Sequence, residues 1–167
     1  DPLWSRGLGD VYKRQVQGEI DVKDLNRGER SGEEVAYRME RASVLAQIDI
    51  HRAATHNKGV MNGIHSVVLA TGNDTRGAEA SAHAYASRDG HYRGIATWNY
   101  DKARGKLVGT IEVPMTLAIV GGGTNVLPIA KASLDLLNVE SAQELGHVVA
   151  AVGLAQNFSA CRALVSE

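Results

Sequence analysis

The sequence contains a single cysteine, Cys161, in 167 residues. An internal disulfide is therefore excluded, and one thiol fits a reducing, cytoplasmic setting. A surplus of either charge is missing as well: 18 Lys and Arg stand against 19 Asp and Glu, for a formal net charge of -1. There is no basic footprint for nucleic acid, and no run of like charge that would mark a tail or a membrane-surface patch. Long hydrophobic runs are also lacking. The most apolar stretches, Met115–Val120 and Val148–Ala155, fall well short of the ~20 residues that cross a bilayer. The N-terminus has no apolar signal core. The expectation is a cytoplasmic protein with neither a nucleic-acid nor a membrane partner.

Several chemical motifs are absent too. No Gly-x-Gly-x-x-Gly follows a strand pattern, and there is no Walker loop, Gly-x-Ser-x-Gly elbow or His-Glu-x-x-His. The six histidines, at 51, 56, 65, 83, 91 and 147, lack ligand spacing and a neighbouring cysteine or carboxylate cluster. They read as surface or hydrogen-bonded side chains, and no metal is expected. Cys161 reads as a small core residue.

With 44% hydrophobic and 22% charged residues, the chain can bury a core. Asp1 to Gln15 has no periodic pattern and reads as a non-native, adaptor-like leader. Val16 to Val22 suits a short strand, and Lys23 to Arg30 a connector. Ser31 with Glu34 forms a capping box, which predicts a helix through Gln47 carrying Val35, Met39, Ala42, Leu45 and Ala46. Two further helical patterns, Val60 to Thr71 and Ala78 to Tyr85, are joined through Gly72-Asn73-Asp74. Their many Ala, Gly and Ser residues predict a pair lying deep in the core. Ile95 to Tyr100 and Lys106 to Val113 flank a Gly-containing loop and predict an antiparallel hairpin. Met115 to Val120 is a candidate strand. Pro128 opens a helix over Ile129 to Asn138, and a second capping box, Ser141 with Glu144, opens the last helix, which ends without a cap. The order is that of an α+β fold with no βαβ alternation.

The unusual stretch is Arg52-Ala-Ala-Thr55-His-Asn-Lys58-Gly-Val-Met-Asn62-Gly, followed by Ala70-Thr-Gly72-Asn73-Asp74. Lys58 and Asn62, four apart, share one helix face at what reads as the start of an apolar helix, where a solvated charge is unexpected. Taken alone, a lysine snorkelling from a helix terminus accounts for this. A buried lysine with an aspartate in reach is instead the arrangement that holds an ammonium charged beside an oxyanion.

Thr55-His-Asn-Lys-Gly-Val-Met-Asn-Gly63, Ala70-Thr-Gly-Asn-Asp-Thr-Arg76, Ala82-His-Ala-Tyr-Ala86, Val120-Gly-Gly-Gly-Thr124 and Ala151-Val-Gly-Leu-Ala-Gln-Asn157 settle the matter. In order and spacing they resemble the class II, bacterial soluble-type 3-hydroxy-3-methylglutaryl-coenzyme A (HMG-CoA) reductases, from Ser31 to Glu167. The membrane-anchored class carries its lysine in an Asp-Lys-Lys motif, which is absent here. The resemblance implies reduction of HMG-CoA to mevalonate and free coenzyme A by two hydride transfers from NAD(P)H, in a homodimer or higher oligomer with its site near the subunit interface. It matches Lys58 to the oxyanion-stabilising lysine and Asp74 to the aspartate that holds it. Asn62 matches a polar partner of that network, and Arg52 and Thr55 match positions lining the hydroxymethylglutaryl site. For Gly122, Gly123 and Thr124 two readings stay open: a close backbone approach to the cofactor or partner subunit, or a structural turn.

By the same resemblance, residues 16–30 are the end of a small cofactor domain or a connector, and residues 31–167 are the large catalytic domain, truncated at its C-terminus. The family's acid/base glutamate is expected before this segment and its histidine after it, so the chain alone is expected not to turn over. The competing reading is an inactive module that only binds coenzyme A or dimerises.

Overall fold

The computed structural model describes residues 13–121 and 126–166. Strand β1 (Lys13–Asp21) and a short 3-10 turn at Val22–Leu25 lead into helix α1 (Gly32–Ile48). Helices α2 (Ile50–Ala70) and α3 (Thr75–Ala86) follow, then strands β2 (Ala96–Asp101) and β3 (Lys106–Pro114), and helices α4 (Pro128–Leu137) and α5 (Ala142–Ser166). The architecture is the expected α+β one: among the described residues, five helices and one antiparallel sheet of order β1-β3-β2.

Local chemistry explains most of the boundaries. Ser31 caps α1 by accepting from the Glu34 amide at 3.2 Å. Only half of the expected box forms, because the Glu34 carboxylate pairs with Arg38 at 2.8 Å instead. Ser141 caps α5 in the same way, and the Glu144 carboxylate reaches back to the Glu140 amide. Pro128 stands at the start of α4, whose end is marked by Asn138 in the left-handed region. Between α2 and α3 the chain turns on Gly72, at φ 70°. The Asn73 and Gly72 amides return to the Val68 and Leu69 carbonyls, the paired bonds of a Schellman stop.

The hairpin β2–β3 forms as expected, and β1 lies along the other edge of β3. It starts three residues before Val16: Lys13, Arg14 and Gln15 pair with Pro114, Val113 and Glu112. The structured chain thus reaches into the stretch that the sequence assigned to a leader. The candidate strand at Met115–Val120 does not form; β3 already has a neighbour on each side, and the loop is held by a side chain. Asn73 donates to the Ala118 carbonyl and accepts from the Ala118 amide, at 3.0 and 2.8 Å.

Alternate β3 residues Leu107, Ile111 and Val113 are buried beneath α1 and α5 with Val35, Met39, Leu145 and Val149. The free edge of β2 is covered by helix side chains. Ser43 accepts from the Trp98 amide at 2.9 Å and Glu40 from the Tyr100 amide at 3.0 Å.

The close-packed pair expected of the small residues is α2 with α5 rather than α2 with α3. Gly59 and Gly63 of α2 face Ala160 and Val152 of α5, and Gly153 faces Ile64. Helix α5 is long and apolar enough to cross a membrane by length and composition, although the sequence expectation took its apolar run as too short. In this fold its Leu145, Val149, Ala150, Leu154 and Cys161 are core residues.

Candidate functional site

Helix α2 carries most of the candidate residues and sorts them by face. Successive residues turn by about 100°, so Thr55, Lys58 and Asn62 fall on one side with His51 and Leu69, and all five are exposed. Between Thr55 and Lys58, His56 and Asn57 point inward and are structural. His56 Nε2 lies 2.9 Å from the Ala96 carbonyl. Asn57 accepts from the Ile95 amide and donates to the Arg93 carbonyl, both at 2.9 Å. One short motif therefore does two things: it presents polar side chains outward and pins α2 to the entry of β2.

Arg52, nearly two turns before Lys58, flanks the polar face and is partly buried. Its Nη1 donates to Thr55 Oγ1 at 3.2 Å and its Nη2 to Cys161 Sγ at 3.8 Å. Its Nε is wholly buried without a hydrogen-bond partner. Among the described residues no carboxylate pairs with Arg52, and Lys58 makes neither a hydrogen bond nor an ion pair.

Asp74 is exposed and caps α3, accepting from the Arg76 amide at 3.0 Å. Gly77 leaves room for it, since a Cβ there would lie 2.8 Å from a carboxylate oxygen.

The structure corrects the expectation for Lys58 in two respects. Lys58 is not at the mouth of a helix, because α2 begins at Ile50, capped by Asp49 at 2.6 Å from the Arg52 amide. Nor is it buried with Asp74 beside it. From Lys58 to the end of α2 at Ala70 is about 18 Å of helix axis, at ~1.5 Å per residue. Helix α3 does fold back along α2, with Glu79 3.6 Å from His65, but Asp74 stays at the turn. Arg52, Thr55, Lys58 and Asn62 thus come together on α2, whereas Asp74 does not join them within one chain. Gly122, Gly123 and Thr124 lie outside the described residues.

Three cavities among the described residues are lined by side chains other than the polar face of α2. A polar cavity of about 190 Å³ lies between α3 and the sheet, beside Tyr85, Arg88, Arg93 and Glu112. An apolar groove of about 290 Å³ runs between β1 and α5, beside Val16, Trp98, Leu154 and Phe158. Among the described residues no cluster of His, Cys, Asp or Glu is arranged to hold a metal.

Behind the face lies a buried polar cluster whose contacts the sequence does not announce, although Cys161 is the core residue expected of it. Asn157 Oδ1 accepts from Trp98 Nε1 at 2.8 Å and its Nδ2 donates to the His56 carbonyl at 2.9 Å. Cys161, one turn on, approaches His56 Nδ1 at 3.7 Å. All three side chains are fully buried. Their only advance signal was the four-residue spacing of Asn157 and Cys161 on one helix face. Burial holds the His56 imidazole neutral by pushing its pKa down to about 4, and the Arg52 charge adds to this. Burial likewise pushes the Cys161 thiol up.

Residues 10–167 match the family model described as hydroxymethylglutaryl-coenzyme A reductase. The chain is 52% identical, over 81% of its length, to the 3-hydroxy-3-methylglutaryl-coenzyme A reductase of Archaeoglobus fulgidus, of which it covers 31%. It is 40% identical over 87% of its length to a probable reductase of Borreliella burgdorferi, covering 33% of that protein. A class II reductase of Streptococcus pneumoniae, solved with NADPH in open conformations, superposes with a TM-score of 0.88 at 46% identity. That match covers 92% of this chain and 37% of the other. The chain spans about a third of the length of the curated relatives it matches. With both sequence and fold in agreement, it belongs to the hydroxymethylglutaryl-coenzyme A reductase family, as a partial-length homologue of the class II enzymes.

Proposed function

We propose that the complete protein reduces HMG-CoA to mevalonate and free coenzyme A, and that the outer face of α2 is its substrate side. The observation that carries this reading is Arg52. A partly exposed guanidinium whose terminal nitrogens touch only neutral atoms, with no carboxylate beside it among the described residues, is held ready for an anion from outside the chain. The carboxylate of a hydroxymethylglutaryl group is such an anion. NAD(P)H, when bound, supplies the two hydrides.

The residues of this chain handle charge and position. Arg52 takes the substrate carboxylate, with Thr55 fixing one edge of the guanidinium. Lys58, unpaired and two turns on, sets its ammonium against the thioester oxygen and later the aldehyde oxygen as negative charge develops there. Asn62 extends the same row of donors. Asp74 completes the network from a second copy of the chain, a reading supported by its distance from Lys58 along α2. A polar face exposed along the outside of α2 suits a site closed by another surface.

Steady-state oxidation of NAD(P)H by the complete protein tests the reading. Arg52→Ala should raise KM for HMG-CoA by at least about tenfold, the effect of removing a charged hydrogen bond. An unchanged KM would remove Arg52 from the site.

A further inference from the structure

We propose that the buried pair His56 and Cys161 is a positioning device for Arg52, which sets how well the site holds an acidic substrate. The inference rests on the reading of Arg52 as the substrate's carboxylate contact.

A chain of close polar contacts links His56, Cys161 and Arg52. The Ala96 carbonyl can only accept, so His56 Nε2, 2.9 Å away, carries the proton. With the ring neutral, Nδ1 is left as a bare lone pair facing Cys161 Sγ at 3.7 Å. The thiol, kept protonated by burial, has two acceptors on its core side: this Nδ1, and Asn157 Oδ1 at 3.6 Å. Whichever takes the proton, the sulfur lone pairs are left for Arg52 Nη2, 3.8 Å away on the other side. Asn157 fixes where the sulfur sits, because it is itself bonded to both Trp98 and the His56 backbone.

The choice of a thiol has a consequence for charge. A carboxylate in place of Cys161 would neutralise Arg52 and compete with the substrate's own carboxylate. A thiol is a weak, neutral acceptor. Together with Thr55 Oγ1 on Nη1, it orients the guanidinium without cancelling its charge. Arg52 is thus aimed by two neutral atoms and left electrostatically open.

The test uses the complete protein, with KM and kcat measured for Cys161→Ala, Cys161→Ser, Arg52→Ala and the double variant Arg52→Ala/Cys161→Ala. Cys161→Ala should raise KM for HMG-CoA about three- to tenfold, the effect of one hydrogen bond, with kcat nearly unchanged. Cys161→Ser, which keeps a donor and acceptor, should recover part of that loss. On the Arg52→Ala background, Cys161→Ala should add nothing, because the two effects act through one group. If Arg52→Ala leaves KM unchanged, the reading of the site fails. If Arg52→Ala raises KM but Cys161→Ala does not, or if the two effects multiply, the positioning role is overturned. Should Cys161→Ala fail to fold, Cys161→Val, which roughly keeps the volume but removes the acceptor, decides. A native KM there despite a lowered melting temperature would show a purely structural cysteine, whereas a raised KM with unchanged kcat would support the proposal.

Discussion

Gly63 of α2 lies so close to Val152 of α5 that a Cβ on the glycine would sit 2.6 Å from the Val152 carbonyl oxygen. The obstacle is backbone, so relief requires the two helices to move apart. Gly63→Ala should destabilise the protein by about 1–3 kcal/mol, the usual cost of overpacking. Gly153→Ala meets the side chain of Ile64, at 2.9 Å, which can turn aside, and should cost less. Denaturant midpoints of the two variants check the order. Equal, negligible shifts would mean that α2 and α5 are not held at this separation.

A second prediction concerns pH. The folded His56 has a pKa near 4 against an ordinary 6.5, so between these values the unfolded chain binds more protons than the native one. Stability from the neutral ring is therefore fully present above about pH 6.5 and is lost as pH falls toward 4. The full shift corresponds to about 3 kcal/mol. Other groups titrate in the same range, so the contrast with His56→Asn is the measurement. The variant should melt lower at pH 7.5, with a flatter loss of stability between pH 6.5 and 4. Parallel curves would show that His56 is not held neutral.

These buried features were poorly legible in the sequence, whereas most helix boundaries, the start of α2 excepted, were legible. Ser31, Pro128, Ser141 and Gly72 act within a few residues of themselves, so their caps and turns follow from local pattern. The pairing of Lys13–Gln15 with β3 depends on contacts about a hundred residues away, and no local period announces it. The candidate strand at Met115–Val120 had the propensity but no open sheet edge to join. Lys58 was placed at a helix start because the apolar period begins at Val60, whereas the true start is set by Asp49. Recognising the motif around Lys58 identified the family, but motif order could not say which of its residues face the core. His56 and Asn57 do; Thr55 and Lys58 do not.

The chemistry assigned to Lys58 yields a third prediction. In the complete protein Lys58→Ala should lower turnover by roughly a hundred- to a thousandfold, the effect of losing one preorganised oxyanion donor, about 3–4 kcal/mol. The fold should tolerate it, since the side chain is exposed and makes no hydrogen bond or ion pair among the described residues. Lys58→Arg should rescue poorly, because a planar guanidinium offers its donors elsewhere. Near-native turnover in Lys58→Ala, with an unchanged melt, would make Lys58 an ordinary surface lysine.

The separation of Lys58 from Asp74 leads to the last prediction. If each active site joins Lys58 of one copy to Asp74 of another, two inactive variants should repair each other. Asp74→Asn suits the experiment, since asparagine caps a helix as well as aspartate and α3 should keep its start. In a dimer of one Lys58→Ala subunit and one Asp74→Asn subunit, one site carries both changes and the other carries neither. Random reassembly of equal amounts makes half the dimers mixed, each with one intact site, so activity should return to about a quarter of the unmutated level. If both residues serve a site within one subunit, every site in the mixture keeps one lesion and no activity returns. Mixing, brief denaturation and refolding, followed by an NAD(P)H oxidation assay, distinguishes the two outcomes. Unmixed variants treated alike provide the baseline. A mixture no more active than that baseline would end the reading of a site shared between two copies.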